Sequence, residues 1–265
     1  MEHTGTLIKM HSFYDEPVRY QIVFGEESID MNSILSSDMK MEFLHEIYCI
    51  NCGKKTNKSF GQGYCYQCFI SAPEVSECVL RPELCEAHLG KARDMDWARS
   101  HCLQDHFVYL ALTSDVKVGV TRSTQVPTRW IDQGAWKAIK IASTPNRHLA
   151  GVIEVELKKH LTDKTNWRHM LTNNMALTID LTEEKERILK VFPDELKQYI
   201  WAENDVTVLS YPVVSYPVKV NSYNLDKQNT ITGKLTGIRG QYLMFEGGYV
   251  LNVRSHSGYK VKISY

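Results

Sequence analysis

The stretch HFVYLALTSDVKVGVTR, from His106 to Arg122, contains two apolar runs separated by the polar turn 113–115. Both runs are rich in the β-branched and aromatic residues that favour extended chain. The pattern predicts a β-hairpin with strands at 107–112 and 116–121. Because Tyr109 alternates with apolar neighbours in the first strand, it could be either a core aromatic or a functional residue.

The sequence after this hairpin predicts a helix, a strand and a second helix. Pro127 suits the first turn of the first helix, and Gly134 ends it. A strand at 137–143 follows, and a long helix then begins near Thr144 with apolar residues along one face. This order predicts a small antiparallel sheet with helices packed on it, and an α+β fold class.

Four of the seven cysteines form two Cys-x-x-Cys pairs separated by twelve residues. Two such pairs can direct four thiolates at one tetrahedral zinc ion that is closed to water and therefore structural. A redox pair would need only one motif. The predicted ligands are Cys49, Cys52, Cys65 and Cys68.

The other three cysteines lie just downstream, in a stretch that also predicts a helix over 83–102. With one histidine they would complete a second zinc site of three sulfurs and one nitrogen. The ligands would be Cys78, Cys85, His88 and Cys102. His101 and His106 are alternative ligands, and the thiols could instead pack as small apolar side chains.

The chain of 265 residues is charge-balanced, with 31 Lys and Arg residues against 31 Asp and Glu residues. A basic surface for nucleic acid would therefore have to be local. The N-terminus lacks the apolar run of a secretory signal, and no stretch approaches the roughly 18 apolar residues of a membrane span. We expect a cytoplasmic protein with no membrane partner and no small-molecule cofactor, in which clustered cysteines indicate metal rather than disulfides.

The two ends of the chain resemble each other. GTL from Gly5 matches GKL from Gly233, and YQIVFGEESIDMNSI from Tyr20 can be laid on QYLMFEGGYVLNVRS from Gln241. The match predicts a duplicated β unit whose two copies fold together, although two short meanders can also look alike by chance. The predicted segments are an N-terminal β unit, a zinc-binding segment, an α/β core, a helical linker and a C-terminal β unit, at 1–45, 46–104, 105–176, 177–209 and 210–265.

The order of elements in the core and its motifs resemble the GIY-YIG nuclease superfamily. VYLA at 108–111 and VKVGVTR at 116–122 stand where the two name-giving motifs fall. The whole chain resembles a poorly characterised bacterial family that joins a Cys-x-x-Cys zinc segment to such a core. RWIDQGA at 129–135 and DKTNWRHML at 163–171 are its companion motifs.

The resemblance implies metal-assisted phosphodiester cleavage. Tyr109 would help to activate the attacking water, Arg129 would steady the phosphate, and Glu154 would hold one magnesium or manganese ion. Lys117 departs from the pattern, because it stands where the second motif has a tyrosine. It could contact phosphate or act as a base, or it could mark a site that no longer cuts.

Nucleic acid, either DNA or RNA, is the partner that this resemblance implies. A basic run with an aromatic residue can hold phosphate and stack a base. The candidate contact residues are Arg122, Arg147, Lys164, Trp167 and Arg168. Three hypotheses remain from the sequence: a nuclease, a decayed site that binds nucleic acid without cutting, and a zinc-ribbon scaffold for protein interactions.

Overall fold

The computed structural model describes residues 1–161, 166–176 and 178–265. The described chain has a mixed α+β fold with antiparallel sheets and short helices, as predicted. It divides into two compact units. The first unit contains Met1–Ile70, Leu171–Asn173 and Ser210–Tyr265, and the second contains Ser71–Met170 and Asn174–Leu209.

The strands and helices of the described residues are numbered in chain order. The strands are β1 Glu2–Thr6, β2 His11–Phe13, β3 Arg19–Phe24, β4 Glu27–Asp30, β5 Asp38–Tyr48, β6 Lys55–Thr56, β7 His106–Leu112, β8 Val116–Arg122, β9 Lys137–Thr144, β10 Val206–Val208, β11 Asn221–Ser222, β12 Thr230–Arg239, β13 Tyr242–Phe245, β14 Tyr249–Asn252 and β15 Tyr259–Ser264. The helices are α1 Tyr66–Ser71, α2 Glu77–Leu80, α3 Met95–His101, α4 Thr128–Asp132, α5 Arg147–Lys158, α6 Trp167–Leu171 and α7 Leu181–Leu189. None of these described helices combines the length and the apolar character that crossing a bilayer requires.

The first unit is built on a sheet with the strand order β1-β15-β5-β12-β13-β14-β11, in which β6 also pairs with β5. The β11–β14 pair is parallel, and the other pairs are antiparallel. Strands β2, β3 and β4 form a separate antiparallel sheet. Because β1 and β5 share a sheet with β12 and β15, the prediction that the terminal β units pack together is confirmed.

The pairing in this sheet has an internal symmetry. Exchanging β1 with β12 and β5 with β15 gives the same order, β1-β15-β5-β12, read from the opposite edge. Matching pairs of residues also meet in both halves: Gly5 lies against the ring of Phe24, and Gly233 lies against Phe245. These are the residues that the alignment of the two ends superimposes, so the geometry agrees with a duplicated unit.

The second unit is built on a four-stranded antiparallel sheet with the order β10-β9-β7-β8. The hairpin of β7 and β8 and the following helix, strand and helix appear in the predicted order. Alternate residues of β7, namely Val108, Leu110 and Leu112, are fully buried in one apolar core with Ile153 and Leu157 of α5. The apolar face of α5 predicted from the sequence therefore packs in the core of this unit.

The prediction of one helix over 83–102 is wrong. This stretch instead forms a 3-10 turn at Ala87–Leu89 and, after a break, the short helix α3. Gly90 ends the turn in a left-handed conformation, with φ of 75°, which glycine adopts at little cost. Asp94 then starts α3, because its side chain accepts a hydrogen bond from the Trp97 backbone N–H at 2.9 Å.

Helix α5 approaches a neighbouring backbone unusually closely. Asn146 starts the helix by accepting a hydrogen bond from the Leu149 backbone N–H at 3.0 Å. One turn later, a Cβ atom added at Gly151 would lie 2.1 Å from the backbone nitrogen of Glu83 and 2.4 Å from the carbonyl carbon of Pro82. Only glycine allows this approach, since both obstacles are main-chain atoms that cannot rotate away.

We expect Gly151→Ala to destabilise the protein by about 2 to 3 kcal/mol, although alanine is the better helix former, because the added methyl overpacks against backbone. The midpoint of urea unfolding measures this change. Gly233→Ala is the matched control, since its Cβ would meet no atom closer than the 3.7 Å contact with Phe245. Equal midpoints for the two variants would contradict the close approach.

Candidate functional site

The four cysteines of the two Cys-x-x-Cys pairs converge at one point in the first unit. Their sulfur atoms all lie within 4.8 Å of one another, and the Sγ atoms of Cys52 and Cys65 are 3.9 Å apart. Sulfurs on one tetrahedral zinc ion, with bonds of about 2.3 Å, lie about 3.8 Å apart. Cys49, Cys52, Cys65 and Cys68 can therefore hold one metal ion, and the sulfur ligands suit zinc.

The local chain explains this convergence. After Cys49 the backbone folds back on itself, so that the Gly53 N–H donates to the Cys49 carbonyl at 2.9 Å. Gly53 has a φ of 69° and Gly63 a φ of 127°, conformations that side chains rarely adopt. A Cβ added at Gly63 would also lie 2.9 Å from the Ile50 side chain. Glycine is thus required where the two cysteine loops meet.

Aromatic side chains cover the surface beside these cysteines. The ring of Phe60 contacts those of Tyr66 and Phe69 at centroid distances of 5.5 and 5.9 Å. Tyr66 is 56% exposed, and the Lys58 ammonium lies 5.3 Å from the Phe60 ring. The stretch 51–70 contains three lysines, one of them paired with a glutamate of β5, and no Asp or Glu of its own. This surface, which we call the ribbon face, is both aromatic and basic.

The other three cysteines form a second cluster, in the second unit. The Sγ atoms of Cys78, Cys85 and Cys102 lie within 4.8 Å of one another. Cys85 and Cys102 are buried, and Cys78 is half-buried. The three thiols can hold a metal ion, as the sequence predicts for a second site. Hydrogen bonds from the Cys102 and Cys85 thiols, aided by the charge of Arg147, lower the pKa of Cys78 against the opposing effect of burial.

None of the three histidines considered as a fourth ligand belongs to this cluster among the described residues. His88 is exposed and stacks on His148, with ring centroids 4.4 Å apart. His101 stacks on Trp97 at 4.1 Å. The Nδ1–H of His106 donates to a backbone carbonyl at 2.7 Å within a buried strand. Each ring is held by contacts of its own. His88 therefore lies outside the cluster for which it was the predicted fourth ligand.

Arg147, a predicted nucleic-acid contact, lies against this cysteine cluster instead. It is only 9% exposed, and its Nη1 atom is 3.8 Å from the Cys78 sulfur. Its Nη2 atom donates to the His101 carbonyl at 3.2 Å. A buried guanidinium cannot reach an external phosphate, so this placement does not fit the predicted contact.

Tyr109 lies at the centre of a second candidate site. Its side chain is fully buried, and its hydroxyl donates to the Gln133 Oε1 atom at 3.0 Å. Its ring crosses Gly119, where an added Cβ would lie 2.7 Å from the hydroxyl oxygen. Trp130 packs on it edge-to-face at 5.8 Å. Glycine in the second motif thus makes room for the tyrosine of the first.

Arg129 and Glu154 both act on the Tyr109 phenol. Burial raises the pKa of Tyr109, the charge and hydrogen bond of Arg129 lower it, and the charge of Glu154 raises it again, with a net rise. Arg129 and Glu154 are therefore near enough to Tyr109 to change its pKa. The raised pKa keeps the phenol protonated at neutral pH, which suits a hydrogen-bond donor better than a base.

Glu154 and Lys117 flank this tyrosine site. Glu154 is buried on α5, and its Oε1 atom lies 3.5 Å from the Lys158 ammonium. Lys117 pairs with Ala111 in the hairpin, two residues from Gly119, and so lies on the same sheet face as Tyr109. Lys117 is thus a diagonal neighbour of Tyr109 in the hairpin, whereas Glu154 acts on the phenol by its charge.

The remaining predicted nucleic-acid contacts are scattered. Arg122 is half-buried, with its guanidinium 3.5 Å from the Ser100 carbonyl oxygen. Arg168 is exposed and its guanidinium lies over the Trp167 ring at 4.4 Å. Lys164 falls outside the described residues. These positions stay predictions.

Sequence reasoning missed Gln133 as a partner of Tyr109. Arg129 and Gln133 are four residues apart in the RWIDQGA motif, a spacing that places both on one side of a helical turn. That spacing was a usable signal. It did not show that Tyr109 would be the residue they meet.

These features define a mixed α+β protein with two cysteine clusters that could hold zinc and a buried tyrosine whose pKa responds to Arg129 and Glu154. The chain belongs to the family described as "Protein of unknown function (DUF2797)", which matches residues 36–261. No curated protein and no solved structure matches the chain.

We expect the purified protein to contain two zinc ions per chain, because a bound metal ion stabilises each cluster of close cysteines in the thiolate form. Elemental analysis by mass spectrometry measures this ratio. Cys52→Ser and Cys78→Ser serve as matched variants, each expected to reduce the ratio to one by emptying a different cluster. One zinc per wild-type chain, lost in Cys52→Ser and kept in Cys78→Ser, would contradict the prediction of a second zinc site.

Proposed function

We propose that this protein is a divalent-metal-dependent phosphodiesterase, an endonuclease of GIY-YIG type, whose fold is stabilised by structural zinc. The observation that carries the proposal is the buried Tyr109 phenol, whose hydroxyl donates to Gln133 and whose pKa responds to Arg129 and Glu154. The order of elements in the second unit and the motif positions support it. The activity and the nucleic-acid partner are inferred from this site by resemblance.

The residues fit the roles that this chemistry requires. Glu154 offers a carboxylate of the kind that magnesium or manganese binds together with several waters. Such an ion would neutralise charge developing on the phosphoryl oxygens. Arg129 presents a planar set of donors that matches a phosphate. Tyr109 is fully buried and its hydroxyl donates to Gln133, so it would position Gln133 and Arg129 rather than touch the substrate.

The ribbon face supports nucleic acid as the substrate. Exposed aromatic rings beside lysines provide stacking surfaces for bases and charge for phosphates. The face contributes Phe60, Tyr66 and Phe69 with Lys58. We infer that single-stranded regions of the substrate bind there.

A second candidate function is binding of nucleic acid without cleavage. Two observations favour it: Lys117 replaces the second tyrosine, and the raised pKa of Tyr109 makes it a poor base. In this case Arg129 and Lys117 would contact phosphate, and Glu154 would serve as the ion-pair partner of Lys158.

Cleavage of labelled single- and double-stranded DNA and RNA, with and without manganese, distinguishes the two functions. We expect metal-dependent cleavage that Glu154→Gln slows by about 100-fold, a loss of about 2.7 kcal/mol in transition-state stabilisation. Glu156→Gln is the matched control, since Glu156 is more exposed and pairs with Lys159 at 2.5 Å.

Salt-sensitive binding without cleavage, equal in wild type and Glu154→Gln, would establish the binding module instead. The absence of any salt-dependent binding to nucleic acid would contradict both candidates and favour a scaffold for protein interactions.

A further inference from the structure

The sulfur atoms of Cys78, Cys85 and Cys102 lie close enough together to be ligands of one metal ion. Sulfur separations within 4.8 Å suit ligands of a single ion with metal–sulfur bonds of about 2.3 Å. Among the described residues no fourth Cys, His, Asp or Glu atom joins this group. A structural zinc site is normally closed by four protein ligands, whereas a site with three keeps a position for an external ligand.

The cysteine cluster also forms part of the wall of a cavity. The cavity has a volume of about 350 Å³, and all three cysteines line it. One liquid water molecule takes up about 30 Å³, so the space admits a small organic molecule as well as solvent. The other lining residues include both cations and carboxylates, namely Lys91, Arg93, Glu77, Glu86 and Asp94. An ion held by the three sulfurs would therefore lie next to open space.

Arg147 supplies the charge that such a centre needs. A divalent ion with three thiolates has a net charge of −1, and burying that charge requires a cation. The Arg147 guanidinium lies 3.8 Å from the Cys78 sulfur and is 9% exposed. The guanidinium is thus placed to compensate negative charge on the cysteine sulfurs when they bind a metal ion as thiolates.

We propose that Cys78, Cys85 and Cys102 hold one divalent metal ion whose fourth coordination position opens into this cavity and binds a small external thiolate. Arg147 cancels the charge of the three-thiolate complex, so that a further anion can approach. A thiolate is the preferred class of ligand, because three sulfur ligands already make the centre soft. In the exchange a metal–water bond breaks, a metal–sulfur bond forms, and the thiol proton passes to bulk water.

Cobalt(II) substitution of the full-length protein tests this proposal, because sulfur-to-cobalt absorption reports the number of thiolate ligands. The protein is kept reduced with a phosphine, and 2-mercaptoethanol is the added probe. We expect the probe to raise the sulfur-to-cobalt absorbance of this one centre by about one third, as three thiolates become four. Ethylene glycol, the hydroxyl analogue, should produce no such rise.

Two variants assign the response. Cys52→Ser disables the four-cysteine cluster and should retain the thiol response, whereas Cys78→Ser should abolish it. Loss of the response in Cys52→Ser with retention in Cys78→Ser would overturn the assignment. No response in the wild type, or a response that appears only in His88→Ala, would also overturn the proposal, the latter because His88 would then occupy the fourth position.

X-ray absorption at the zinc edge gives a test that requires no variant. One centre with four sulfurs and one with three sulfurs and a light atom average about 3.5 sulfurs per zinc. An average of 4 sulfurs would contradict an open position, and so would strong scattering from an imidazole ring.

Discussion

The second unit depends on the close approach between α5 and the backbone of Pro82 and Glu83. At Gly151 the helix and that segment meet with main-chain atoms in the space where any side chain would lie. One turn earlier the His148 Nδ1–H donates to the Glu83 carbonyl at 2.9 Å, and the Arg147 N–H donates to the Cys102 carbonyl at 2.8 Å. This contact fixes the cysteine-bearing segment against a helix that belongs to the core.

Helix α5 consequently serves three environments, with Arg147 and Glu154 two turns apart on one side of the helix. Arg147 faces the cysteine cluster, Ile153 and Leu157 fill the apolar core, and Glu154 acts on Tyr109. A shift of α5 would change all three together, because its residues are fixed relative to one another by the helix. A metal ion at the cysteine cluster would therefore help to position Glu154, even though that ion takes no part in the chemistry proposed for Glu154.

Local patterns predicted the elements, but not the contacts between them. The alternation in 106–122 and the spacing of the two Cys-x-x-Cys pairs are local signals, and both correspond to structure. The predicted helix over 83–102 failed because Gly90 interrupts an otherwise helical composition. The spacing of His88 from Cys85 predicts a metal ligand, yet the ring packs on His148, sixty residues away in the chain. Arg147 likewise looked like a surface cation, because nothing nearby in sequence reveals that Cys78 and Cys102 surround it.

The central claim is that α5 and the cysteine-bearing segment form one unit, so that a metal at the three-cysteine cluster also stabilises α5, and it is tested most directly by hydrogen exchange in residues 147–158. Exchange would be followed by mass spectrometry in zinc-loaded wild type, Cys78→Ser and Cys52→Ser. The account predicts that Cys78→Ser speeds exchange in α5 by about tenfold or more, equivalent to about 1.4 kcal/mol of lost local stability, while Cys52→Ser leaves α5 unchanged. Equal protection of α5 in wild type and Cys78→Ser would contradict it.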